Sequence, residues 1–273
     1  MTKKDNKAKI MALVEAGVML ALATVLSLIP LSKMPFGGSV TLFSMLPIAI
    51  YSYRWIKQGS FGVFSSIGVA VVYSIIQLLL GLENFSYVKG PDSYAIVSYA
   101  VVAVFDYILA FGVLCLGGIF RGKNETFSIL FSAVSSAIAI VVFTLALMLS
   151  GDDEAAATLK KFWWIIVVEA AIVLVLTVLA LIFKNKVHKS GIALAAGITL
   201  ACVLRAISHI ISGITVWAGY APDGAAVAYS LYYNLSYMIP ESVITVVIAV
   251  IACAIIDFDA QTLNVRMKTN KGN

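Results

Sequence analysis

Residues 191–217 read GIALAAGITLACVLRAISHIISGITVW, an apolar run that carries Arg205, His209, Gly213 and Trp217 at four-residue steps. The run is long enough to cross a bilayer as a helix. On an α-helix four-residue steps fall about one turn apart, so these side chains form one polar and aromatic stripe. A charged side chain inside a membrane costs about 2.5–3.5 kcal/mol on insertion scales, which marks a stripe holding Arg and His as a functional-site candidate. The run breaks at Gly219-Tyr220-Ala221-Pro222-Asp223-Gly224, and the next one opens with Tyr229-Ser230-Leu231-Tyr232-Tyr233-Asn234.

Outward from that stretch, the chain repeats the pattern. Apolar segments of spanning length lie at 10–30, 41–57, 60–81, 94–120, 126–150, 162–183, 191–217 and 229–257. With 61% hydrophobic residues, 12% charged residues and a mean hydropathy of +0.99 over 273 residues, the fold class is all-α, a polytopic membrane helical bundle of about eight spans. The segment 41–57 is short, and the stretch before it, Met34-Pro35-Phe36-Gly37-Gly38-Ser39-Val40-Thr41, predicts a bent or partly re-entrant beginning to that helix. The N-terminal run has lysines ahead of it like a signal peptide, but it is too long for one and no small-residue cleavage site follows, so it is read as the first span.

Fourteen basic residues gather on one side of the spans: Lys3, Lys4, Lys7, Lys9, Arg54, Lys57, Arg121, Lys123, Lys184, Lys186, Lys189, Arg266, Lys268 and Lys271. Four lie on the other, Lys33, Lys89, Lys160 and Lys161, and Arg205 completes the 19. This bias predicts a multi-pass protein of the cell membrane with both termini cytoplasmic. The 31–40 loop and the Tyr220-Ala221-Pro222 turn then fall outside. Membrane lipid is therefore an expected partner. The net charge of +5 is dispersed over short loops, which argues against nucleic acid.

Several chemistries lack their residues. Cys115, Cys202 and Cys253 sit in apolar runs without metal or disulfide spacing. No phosphate loop is present, and the pairs Gly37-Gly38 and Gly117-Gly118 lack the spacing to make one. No nucleophile–base pair suggests an enzyme, and no file of carboxylates suggests an ion path. No cofactor and no metal are expected.

Five ionisable residues fall inside the spans: Asp106, Glu169, Arg205, His209 and Glu241. Asp106 is followed by Tyr107, a pairing suited to a cation or a heterocycle; it is equally suited to neutralise Arg205. Glu169 lies beside Trp163 and Trp164, a few turns from the outer end. Glu241 follows Pro240, whose missing N–H leaves a carbonyl open. His209 alone reads as an interior histidine. With Tyr229, Tyr232, Tyr233, Asn234 and Tyr237 the stripe predicts an outward-facing cavity for a small planar, partly polar molecule. On the first span, Ala12-x-x-x-Ala16 and Gly17-x-x-x-Ala21 are patterns that permit close helix contact, including contact with another subunit.

Taken together, Met34-Pro35-Phe36-Gly37-Gly38-Ser39-Val40-Thr41-Leu42-Phe43-Ser44-Met45-Leu46-Pro47, Asp106-Tyr107-Ile108-Leu109-Ala110-Phe111, Arg205…His209…Ser212-Gly213…Trp217…Tyr220-Ala221-Pro222 and Tyr229-Ser230-Leu231-Tyr232-Tyr233-Asn234 resemble the thiamine-specific S component of energy-coupling factor (ECF) transporters. The resemblance covers about residues 10–120 and 191–257. It implies a six-helix core that captures thiamine from outside and docks on an energising module of one transmembrane subunit and two ATPase subunits. It also implies that Asp106, Tyr107, His209, Gly213, Trp217, Tyr229 and Asn234 line the thiamine site. Where the family pattern has Glu this chain has Asp106, one methylene shorter, and Glu241 is the alternative carboxylate.

A second departure is length. Residues about 121–190 form an extra hairpin within a single membrane domain, 1–273, and two added spans preserve the orientation of all that follows. Two other readings stay open: an S component for another vitamin, and a proton-coupled secondary transporter of a small heterocyclic cation.

Overall fold

The computed structural model describes residues 3–88, 94–149, 164–260 and 264–265. In chain order these form α1 (Lys3–Ser27), β1 (Pro30–Lys33), β2 (Ser39–Thr41), α2 (Leu46–Trp55), α3 (Gly59–Leu80), α4 (Ala95–Leu116), α5 (Glu125–Leu149), α6 (Trp164–Phe183), α7 (Lys189–Thr215), α8 (Ala226–Ile255), β3 (Ile256–Asp257) and β4 (Asn264–Val265). Long apolar runs become helices because lipid offers no partner for an open backbone group. Among the described residues six helices are long and apolar enough to cross a membrane: α1, α3, α4, α5, α7 and α8. The protein is a polytopic helical membrane bundle.

The segment expected at 41–57 is only partly helical. Its helical part, α2, has ten residues, all buried, and at 1.5 Å per residue reaches about 15 Å, half of a bilayer core. It is preceded by β2, which pairs antiparallel with β1 through Ser32–Val40 and Lys33–Ser39. Phe43, at φ 44°, lies in the turn between strand and helix. Non-helical backbone is tolerated in a membrane protein where protein covers it: β2 is largely buried and packs against α8, while β1 is mostly exposed.

Helix α7 lies at the centre, packed against α8, α5, α4 and α2. Its approach to α4 needs Gly197, where a Cβ would collide with the carbonyl of Gly117. At the end away from the hairpin, Arg54 ties three elements together. Its Nε lies 2.5 Å from Glu15 Oε1 in α1, and its Nη1 donates to the carbonyls of Phe258 (3.0 Å) and Ala260 (3.1 Å) after α8. Glu15 is thus a further ionisable residue within a span, beyond the five singled out from the sequence.

Residues 121–190 supply α5 and α6. Helix α5 lies along α7 and α8, with Phe143 meeting Tyr232 at 6.0 Å between ring centres, and α6 packs on α5. Tyr232 therefore faces a helix contact. The side chain of Glu169 and the acidic stretch 152–154 lie outside the described residues.

Candidate functional site

The stripe on α7, the start of α8, the middle of α4, the end of α3 and the β1–β2 hairpin surround one cavity of about 340 Å³. It lies at the bundle end that carries the hairpin and the 217–225 turn. Seven of the eight residues expected to bind a ligand line it: Asp106, Tyr107, His209, Gly213, Trp217, Tyr229 and Asn234. Arg205, Tyr233 and Tyr237 line it as well.

Glu241 stands apart from the lining. It is 2% exposed and holds the base of the hairpin: Oε2 accepts the Thr41 backbone N–H at 2.5 Å, and Oε1 accepts the Thr41 hydroxyl at 2.7 Å.

Asp106 reaches the cavity because α4 changes register. Val102–Leu109 form a π-helical stretch, a rare widened turn that is frequent at functional sites. Donors from neighbouring helices bond carbonyls along it: Ser208 Oγ donates to Phe105 O at 2.6 Å, and Ser74 Oγ to Ile108 O at 3.2 Å. Tyr107, on the same stretch, donates through its hydroxyl to Gly81 O (3.1 Å) and accepts from Asn84 Nδ2 (3.0 Å).

The carboxylate of Asp106 gathers three donors. Oδ1 accepts from His209 Nδ1 at 2.9 Å; Oδ2 accepts from Ser212 Oγ at 2.6 Å and from Trp217 Nε1 at 3.1 Å. The other imidazole nitrogen, Nε2, accepts from Arg205 Nε at 3.3 Å. His209 is therefore neutral in this arrangement, with its proton on Nδ1. The direct Asp106–Arg205 pair that the sequence left open is replaced by a chain in which His209 stands between them.

Glycine at 213 has a packing reason, since a Cβ there would collide with Ser230 Oγ on α8. Asn234 is held by its own helix: Nδ2 donates to Ser230 O (2.9 Å), and Oδ1 accepts from Tyr237 (2.8 Å).

The mouth is bordered by the hairpin. Phe36, at φ 64°, packs 4.1 Å from the Tyr220 ring and 6.4 Å from the Trp217 ring. Tyr233 donates to Pro35 O and accepts from Gly38 N at 3.1 Å. The α3 end adds Gln77, Glu83 and Asn84, which the sequence analysis did not single out. The available signal was the polar pair Glu83-Asn84 directly after the apolar run Leu78-Leu79-Leu80-Gly81-Leu82.

A membrane bundle whose helices converge on one aromatic-walled cavity, with a carboxylate, an imidazole and a guanidinium set in a row, has the architecture of a solute-capturing transport protein. The family described as thiamine transporter protein (Thia_YuaJ) matches residues 13–258, and the chain belongs to that family. It is also similar to the thiamine transporter ThiT of Bacillus subtilis (strain 168), at 24% identity over 247 residues that cover 89% of this chain and 91% of that protein.

Proposed function

We propose that this thiamine transporter is an ECF-type S component: it captures thiamine in the cavity described above and relies on an energising module of one transmembrane subunit and two ATPase subunits for uptake. The observation that carries the reading is a carboxylate set among aromatic rings: Asp106 borders the cavity with Tyr107, Trp217, Tyr229 and Tyr237, and the donors that hold it, His209, Ser212 and Trp217, are neutral. A largely buried negative charge is costly unless compensated, and an organic cation with flat rings compensates it. Thiamine, a thiazolium joined to an aminopyrimidine, has that charge and shape. Trp217, Tyr229, His209 and Tyr237 offer faces and edges for its rings, and Asp106 sets the sign of the field.

The basic residues named in the sequence analysis support a cavity that opens outward with both termini cytoplasmic. The core of the reading is α1–α4 with α7 and α8, and α5–α6 is an added hairpin on its outside. That the chain carries no nucleotide-binding motif supports a separate energising partner.

The test is a titration of the purified protein with thiamine, read by quenching of tryptophan fluorescence, together with uptake into vesicles holding this chain alone. Saturable binding without accumulation is expected. Accumulation driven by a proton gradient in those vesicles would favour the secondary-transporter reading through Asp106, His209 and Glu241, and tighter binding of a different vitamin would move the ligand assignment.

A further inference from the structure

Arg205 is 8% exposed and borders the cavity, yet among the described residues no carboxylate lies within ion-pair distance of it. Its Nε donates to His209 Nε2 at 3.3 Å, and its Nη1 donates to the thioether of Met45 at 2.8 Å. The guanidinium carbon sits 4.2 Å from the centre of the Phe111 ring. A thioether is a weak acceptor and an aromatic face accepts no N–H along the guanidinium plane. Of the five donors a guanidinium carries, those on Nη2 make no hydrogen bond among the described residues. The side chain is thus held by three weak contacts, and because Arg205 lines the cavity its unengaged planar donors are available to a ligand there.

The charges along the stripe run in order. Arg205 is the deep, positive end. Asp106, through His209, Ser212 and Trp217, places the negative charge one to three helical turns nearer the mouth. A cationic ring placed against Arg205 is repelled, whereas a neutral ring bearing an acceptor nitrogen is held there. We propose, building on the thiamine reading above, that Arg205 is a specificity-determining residue. Its free guanidinium N–H groups donate to a ring nitrogen of the aminopyrimidine, seating that neutral ring deep in the cavity and leaving the cationic ring toward Asp106. His209, with both nitrogens engaged by protein partners, contributes its ring and not a hydrogen bond.

The experiment compares thiamine with two analogues in which one or the other pyrimidine ring nitrogen is replaced by C–H, each titrated against the wild-type protein, Arg205→Met and Arg205→Lys. One analogue is expected to bind the wild type at least tenfold more weakly than thiamine. Arg205→Met is expected to bind thiamine at least tenfold more weakly and to lose that discrimination to within about twofold. Arg205→Lys, a point charge without the planar fork, should keep only part of it.

Equal binding of thiamine and both analogues by the wild type overturns the proposal without any variant. So does a variant that retains the full discrimination. Failure of the wild type to bind thiamine at all removes the thiamine reading itself, which separates the two outcomes. Tighter binding of an anionic vitamin by the wild type, lost in Arg205→Met, assigns the guanidinium to an anion and overturns the proposal.

Discussion

His209 Nδ1 donates to Asp106 Oδ1 across 2.9 Å, and this single bond couples the tautomer of the histidine to the charge of the carboxylate. With the proton on Nδ1, Nε2 is free to accept from Arg205. Asp106 therefore has two roles in the proposed site: it is the negative charge that faces a cation, and it organises the Ser212, Trp217 and His209 donors around it.

Asp106→Asn separates those roles. An amide offers one acceptor oxygen where the carboxylate offers two, so one of the three donors meets an N–H. Moving the imidazole proton from Nδ1 to Nε2 to compensate would point Nε2–H at the Arg205 Nε–H. We expect thiamine affinity to fall at least tenfold, about 1.4 kcal/mol, and the ligand-free protein to melt at a lower temperature. A neutral, ring-reduced analogue should lose less. Titrations of both ligands with a melting curve check this, and equal losses would remove the electrostatic share of the effect.

Trp217 is expected to serve as both wall and reporter. Its Nε1 donates to Asp106 Oδ2 at 3.1 Å, while its ring borders the cavity beside Phe36 and Tyr220. Trp217→Phe keeps a flat ring and loses the donor; Trp217→Ala loses both. Affinity should fall a few-fold in the first and at least tenfold in the second, measured calorimetrically because either change should abolish most of the fluorescence quenching. Quenching that survives in Trp217→Phe would assign the signal to another tryptophan.

Gly213 borders the cavity and is also a spacer between α7 and α8. Its absent Cβ is what lets Ser230 lie against α7. Gly213→Ala should lower both the melting temperature and thiamine affinity, since α8 carries Tyr229, Asn234 and Tyr237 on the same face. Gly213→Ala combined with Ser230→Ala should recover part of each, because the colliding oxygen is gone. Coupling between neighbours of this kind is about 0.5–3 kcal/mol, and strict additivity would leave the glycine unexplained.

Most of the site was legible because three of the stripe residues share one helix. Arg205, His209 and Gly213 recur at a period that α7 turns into a line, Trp217 follows in the short 3₁₀ turn Trp217–Tyr220 just beyond its end, and Asp106 stood out as a charge in an apolar span. What the sequence hid has specific causes. The π-helical stretch around Asp106 has no Pro or Gly to announce it, being supported by the hydroxyls of Ser74 and Ser208 from other helices. The half-length of α2 was masked by an apolar run that continues through β2. Glu15 and Arg54 sit 39 positions apart, and only packing brings them within 2.5 Å. For Glu241, proximity to Pro240 suggested ligand contact, whereas its carboxylate is spent on Thr41.

That bond gives Glu241 a testable task in holding the hairpin. Two hydrogen bonds from Thr41 to a buried carboxylate fix the end of β2, whose partner strand and tip border the cavity. Hydrogen bonds to a charged group are worth about 1.5–3 kcal/mol. Glu241→Gln retains one acceptor oxygen and is expected to speed thiamine release several-fold while leaving association nearly unchanged, as stopped-flow quenching would record. A change confined to the association rate would place Glu241 in the capture step instead.

The first helix offers two faces with different expectations. Ala12, Ala16 and Ala23 are buried against the bundle, so a large residue at Ala12 or Ala16 should lower folded yield. Gly17 and Ala21 are on the exposed side, among Leu13, Val14, Val18 and Leu22, and a side chain at Gly17 would meet nothing within 4 Å. Only the second small-residue pair is therefore placed to receive another helix, and close approach there depends on its lacking bulk. Gly17→Leu or Ala21→Trp is expected to abolish thiamine uptake in cells that supply the energising subunits, while the purified variants bind thiamine within about twofold of the wild type. Uptake that survives both substitutions would take the docking face off α1, and uptake by the wild type in vesicles lacking any other subunit would overturn the S-component reading.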